Sequence, residues 1–233
     1  MAVFLLVPGA WLGGWCWRDV ANRLQAGGHS VVSATLTGLG ERAHLLSPHV
    51  GLQAHVCDIL GLLHYQDLNE VVLVGHSYGG TVITAVAEQA ADRIRRLVYL
   101  DASVPRDGES NNDVIGPEMA EQLRSWAEAA GEGWRVPPAP YVTERLPASL
   151  RPWVEQRLTP HPLRSFQDPV VLRSNRAAAL PRAFIRTTRS ALYDRLLGRA
   201  RDAGWHCREL TGGHYAMLTE SQAVAGALAE LAA

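Results

Sequence analysis

The chain has 233 residues, 47% hydrophobic and 19% charged, with a net charge of −1. That is ample material for one large core, and it leaves no electrostatic footprint for nucleic acid or an anionic membrane. All 22 basic side chains are arginine, which excludes Schiff-base chemistry, lysine-anchored pyridoxal phosphate and a P-loop lysine. Cys16, Cys57 and Cys207 are odd in number and widely spaced, so they form neither a disulfide framework nor a zinc ribbon and fit a reducing compartment.

The first element is a strand at residues 3–7, continuous and apolar and stopped by Pro8-Gly9. The apolar start lacks a basic n-region, and Trp11, Trp15 and Trp17 follow where a cleavage site would stand, so it is not read as a signal sequence. No run reaches the length of a membrane span. A soluble cytoplasmic protein is expected. The loop Gly9-Ala10-Trp11-Leu12-Gly13-Gly14 leads to a helix over 17–26, which Gly27-Gly28 ends. A second strand is expected at 30–36, a long loop over 37–44, and a helix over 52–63 with Leu52, Val56, Ile59, Leu60 and Leu63 on one face.

Val71-Val72-Leu73-Val74 then runs into Gly75-His76-Ser77-Tyr78-Gly79, and a small apolar helix follows over 81–91. A β-branched strand, a G-x-S-x-G turn and a helix form a nucleophile elbow. Gly75 and Gly79 remove Cβ atoms that would collide in the turn. Ser77 is lifted to the apex, where helix N-terminal N–H groups point at it. His76 lies inside the elbow and is expected to point away from the substrate. A further strand at 96–100 ends at Asp101.

Composition shifts over 104–181: prolines are frequent, strands are hard to find, and Trp126, Trp134 and Trp153 appear. This segment reads as a helical cap inserted into a core made of residues 1–103 and 182–233. The core pattern resumes with a strand at 183–187, a helix over 192–203, a strand near 207–210 and a last helix over 222–231. Strands alternating with helices imply a mostly parallel sheet, six strands in all, with helices on both faces.

A serine hydroxyl needs a base to take its proton. Nine histidines compete for the role. His214, in Thr211-Gly212-Gly213-His214-Tyr215, follows the last strand and so shares the nucleophile's sheet edge. The spacings of His44, His49, His55 and His64 match no ligand pattern, so no metal is expected.

These stretches resemble the α/β-hydrolase fold family, and within it the plant and bacterial methyl esterases and hydroxynitrile lyases. The resemblance rests on Val7 to Trp11 with Gly14 to Trp17, Thr35 to Gly40, Val74 to Gly80, Leu97 to Ala102, and Thr211 to Leu218. It implies Ser77 as nucleophile, His214 as general base, and the backbone N–H groups of Ala10 and Tyr78 as the oxyanion hole. Two loop histidines of the family are Pro8 and Leu12 here. Hydroxynitrile lyase activity is not expected, because members with it carry threonine at the place of Gly9 and lysine at the place of Tyr215. The family's acid follows the penultimate strand, and the matching position here is Ser190. A neutral serine cannot stabilise a histidinium. Asp101 is the replacement expected, with Asp194 or a bare Ser–His dyad as alternatives.

The expectation is therefore a serine hydrolase cleaving a small apolar or aromatic ester, lactone or thioester through an acyl-enzyme. It would need no metal or organic cofactor, and Trp11, Trp126, Trp134 and Trp153 would line its pocket. The alternatives are a cyclase, lyase or decarboxylase on the same fold, and a non-catalytic ligand-binding module. A small-molecule substrate is expected, with neither nucleic acid nor membrane as partner; a homodimer stays open.

Overall fold

The computed structural model describes residues 1–174 and 176–232. Asn175, in the expected cap, and Ala233, at the end of the expected core, lie outside the described residues. The strands and helices of the first half are β1 (Val3–Val7), α1 (Arg18–Ala26), β2 (Ser30–Ser33), α2 (Leu52–Tyr65), β3 (Val71–Ser77), α3 (Gly79–Ala90) and β4 (Ile94–Ala102). The segment after β4 carries α4 (Asn111–Ile115), α5 (Pro117–Ala130), β5 (Arg135–Val136), α6 (Tyr141–Glu144), α7 (Arg151–Glu155), β6 (His161–Pro162) and α8 (Leu163–Gln167). The chain closes with β7 (Arg182–Thr187), α9 (Asp194–Asp202), β8 (His206–Leu210), α10 (Ala216–Thr219) and α11 (Ser221–Leu231).

The main sheet has six parallel strands in the order β2-β1-β3-β4-β7-β8. Its central strands are buried on both sides: every residue of β3 up to His76 is inaccessible. This is why they read as continuous apolar runs and not as alternating ones. The chain steps from β1 outward to β2, then returns past β1 to β3. Right-handed crossovers put α1 on one face of the sheet and α2, α3 and α9 on the other. Consistently, α1 packs on α11, and α2 on α3. The loops after β1 and β3 diverge at this reversal and open a crevice at the carboxyl edge of the sheet.

Several boundaries move from the sequence reading. β2 stops at Ser33, since its only partner, β1, pairs with it no further than Leu6. β4 runs on to Ala102, which pairs with Ser77 after a register shift, so Asp101 lies within the strand. The expected last helix is α11, and a short helix not expected from the sequence, α10, precedes it. Between β4 and β7 the short β5 and β6 pair antiparallel, Val136 opposite His161, where only helices were expected. Among the described residues no helix is long and apolar enough to cross a membrane.

Candidate active site

Ser77 ends β3 with φ +53°, a backbone conformation a non-glycine residue holds only when its surroundings enforce it. A Cβ on Gly75 would sit 2.6 Å from the Gly79 carbonyl oxygen, and one on Gly80 only 2.1 Å from that of Ser103. The glycines therefore let the turn close and let α3 seat against the end of β4. The Ser103 N–H donates to the Ser77 carbonyl at 3.0 Å, tying the elbow to β4.

Asp101 also has a positive φ, +43°, which turns its side chain off the strand. Its Oδ2 accepts from His214 Nδ1 at 2.6 Å, with side chains 1% and 4% exposed. A carboxylate only accepts, so Nδ1 carries the proton and Nε2 is left free to take another. Burial alone would raise the Asp101 pKa. The bond and charge of His214 outweigh it, with help from Ser190 and His76, and hold the carboxyl below its ordinary 3.8. Ser190 thus lies beside the carboxylate expected to replace the acid missing at its own position, although Asp101 Oδ1 has no hydrogen-bond partner of good geometry. Asp194 is remote from this chemistry and pairs bidentately with Arg186.

His76 is fully buried beside the site, its ring tilted against that of His214 with centroids 4.6 Å apart, and it donates from Nε2 to the His214 carbonyl at 2.8 Å. Burial is the main cause that lowers its pKa to about 3, so it is neutral. Gly9 leaves room for its ring: a Cβ there would lie 2.8 Å from His76 Nδ1. The Tyr193 hydroxyl reaches Ser103 Oγ (3.3 Å) and is within hydrogen-bonding range of Ser77.

The cavity in front of Ser77 is lined by Ala10, Trp11 and Tyr78 and, from the segment between β4 and β7, by Ile115, Met119, Leu123, Tyr141 and Phe166. Leu192, Tyr193 and Tyr215 complete an apolar wall, and Arg145 is the one charged side chain of the cap that reaches it. Of the tryptophans expected here, Trp11 lines the cavity, and Trp126, Trp134 and Trp153 do not. Their indoles are engaged elsewhere: Trp126 against Tyr141, Trp134 under Arg135, and Trp153 between Trp15, Arg18 and Arg157. Tryptophan counts alone could not show which rings face inward. Tyr193, Tyr141 and Arg145 were missed by sequence reasoning, since no motif surrounds them. Tyr193 had one signal, its place three residues after Ser190.

The family model described as the alpha/beta hydrolase family matches residues 4–227. The chain belongs to the α/β-hydrolase family. This hydrolase is 42% identical over 192 residues to a carbendazim hydrolyzing esterase of Nocardioides sp. (strain SG-4G), covering 79% of each chain. It is 30% identical over 207 residues to a pFDCC methylesterase of Arabidopsis thaliana, covering 82% of this chain and 78% of that one. Among solved structures, an extracellular alpha/beta-hydrolase from a Paenibacillus species superposes with a TM-score of 0.87 at 23% identity, over 100% of this chain and 99% of that one. The fold likeness thus extends over the whole chain, the segment between β4 and β7 included.

Proposed function

We propose that this hydrolase cleaves small aromatic or apolar carboxylic esters through an acyl-enzyme on Ser77. The observation that carries the reading is the buried 2.6 Å contact of Asp101 with His214 Nδ1, because it supplies the charge that a serine at 190 cannot. His214 Nε2 takes the Ser77 proton as Oγ attacks the ester carbonyl carbon. The N–H groups of Ala10 and Tyr78 hold the resulting oxyanion, and Asp101 stabilises the imidazolium. His214 then protonates the leaving alkoxide. Water, deprotonated by the same nitrogen, releases the acid. The apolar cavity wall supports an aromatic or aliphatic acyl group, and the esterase and methylesterase relatives support an ester of a small alcohol. The non-hydrolytic alternatives drew on a missing acid, and Asp101 speaks against them.

Ser77→Ala tests this. Turnover of p-nitrophenyl acetate and of aromatic methyl esters, read as acid released, is expected to fall by about 10⁴ to 10⁶ in kcat with the melting temperature preserved. A variant that keeps most of its turnover would exclude the acyl-enzyme.

A further inference from the structure

Trp11 follows the proposed oxyanion donor Ala10, and all three of its polar groups are bonded to the cap. Its N–H donates to His161 Nδ1 at 3.4 Å, its carbonyl accepts from the Thr159 N–H at 3.2 Å, and its indole N–H donates to the Val136 carbonyl at 3.1 Å. Val136 and His161 are register partners in the β5–β6 pair. Trp11 itself is 5% exposed with φ +63°. It is the third residue of a turn closed by the Leu12 N–H on the Gly9 carbonyl, and a positive φ there is normally given to glycine. A tryptophan keeps that conformation only where surrounding bonds enforce it.

His161 is built for the task. Its Nε2 lies 2.8 Å from Ser165 Oγ, which donates its own proton to the Pro162 carbonyl. Nε2 is therefore the protonated nitrogen, and Nδ1 is a bare acceptor aimed at Trp11. The ring stacks on Phe166 with centroids 4.3 Å apart and meets the Tyr78 ring edge-on at 4.9 Å. It thus touches both halves of the proposed oxyanion hole. Complete burial keeps the imidazole neutral by pushing its pKa well below 6.5.

We infer that His161 is a positioning residue through which the docked cap sets the oxyanion hole: its Nδ1 holds the Ala10–Trp11 peptide in the strained turn and so aims the Ala10 N–H. Without that acceptor the Ala10–Trp11 peptide can rotate toward a relaxed turn, and the adjoining Gly9–Ala10 peptide, which carries the donor N–H, loses its anchor at the shared Ala10 Cα. The inference rests on the proposed ester hydrolysis, because it takes Ala10 as an oxyanion donor. It makes the cap a part of the catalytic apparatus as well as a wall of the pocket.

The test compares His161→Leu, which keeps bulk without an acceptor, with His161→Asn, whose Oδ1 can stand where Nδ1 stood. For His161→Leu a kcat loss on the order of 10- to 100-fold is expected, with KM within about twofold. Inhibition by an aryl trifluoromethyl ketone, whose adduct carries the oxyanion, should weaken in proportion. His161→Asn should recover most of both. A folded His161→Leu with kcat and ketone inhibition near wild type overturns the inference, as does a change confined to KM or an equal loss in the asparagine variant. If His161→Leu does not fold, Ser165→Ala takes its place: it frees the far nitrogen of the ring, and an unchanged kcat overturns the inference. Ser77→Ala separates the two readings. Activity retained there sinks ester hydrolysis itself, whereas an inactive Ser77→Ala beside a fully active His161→Leu sinks only the positioning role.

Discussion

At the scale of single residues, three side chains of the site, on Trp11, Ser77 and Asp101, stand on backbone with positive φ. Each such conformation costs on the order of 1–3 kcal/mol, so all must be held by their surroundings. For Asp101 the holding group is His214, and the consequence is measurable. Asp101→Asn presents the wrong hydrogen-bonding pattern to Nδ1 and should lower kcat by about 10⁴, as neutralising the acid does in other serine hydrolases. Ser190→Asp, made in the Asp101→Asn background, puts a carboxylate back beside the same imidazole and should restore at least ~10-fold of that loss. Wild-type activity in Asp101→Asn would remove Asp101 from the reaction. Ser77 and His214 could be read from the sequence because local motifs surround them. Asp101 could be read only as one candidate among several, since its partner lies 113 positions away. His161 was invisible, for its role depends on a cap docking that no periodicity encodes.

At the scale of elements, the elbow is a contact between backbones. α3 approaches β4 so closely at Gly80 that a methyl group would sit 2.1 Å from the Ser103 carbonyl oxygen. Neither atom is on a flexible side chain, so the helix itself must shift. Gly80→Ala is expected to cost at least ~3 kcal/mol in urea unfolding and to lower activity further, because the displaced segment lies between Ser77 and Asp101. An alanine variant with wild-type stability would show that the helix can retreat freely. The strands and helices of the core were legible because each carries its own period or run. The segment between β4 and β7 was legible only as a compositional change: most of its pieces are short, and the β5–β6 pair, two residues per strand, is too brief to leave a pattern. A polar relay also joins the elbow to the loop before α2. The Tyr78 hydroxyl bonds His55 Nδ1 (2.9 Å), His55 Nε2 donates to the Thr37 carbonyl (3.0 Å), and Thr37 is held by Asp58, which pairs with Arg42.

For the whole molecule, neutral buried histidines make stability depend on pH. Burial lowers the pKa of His55 to about 4 and of His76 to about 3, and His161 is lowered as well. Unfolded, each takes up its proton near 6.5, whereas the folded chain refuses it until far lower pH. The unfolded state therefore binds more protons below 6.5, and stability falls as pH falls. Each such histidine should subtract on the order of 1 kcal/mol per pH unit between pH 6.5 and its folded value. Urea unfolding at pH 7, 6 and 5 is expected to show a steep decline, shallower in His55→Gln. A flat profile over that range would mean that these rings titrate normally and are accessible to water.

Placing the proposed acid on β4 has a consequence for how such a protein can change. The proposed nucleophile and acid sit on neighbouring strands, joined by the bond from the Ser103 N–H to the Ser77 carbonyl. The segment after β7, which does not carry the proposed acid, sends Leu192 and Tyr193 into the cavity wall. Chemistry and selectivity meet in that segment at Ser190 and Tyr193, which reach Asp101 and Ser77, and part at Leu192. A lineage with this arrangement can rewrite its substrate range by drift at Leu192 while Ser190 and Tyr193 are kept, and a laboratory library confined to residues 191 and 192 would explore the same freedom.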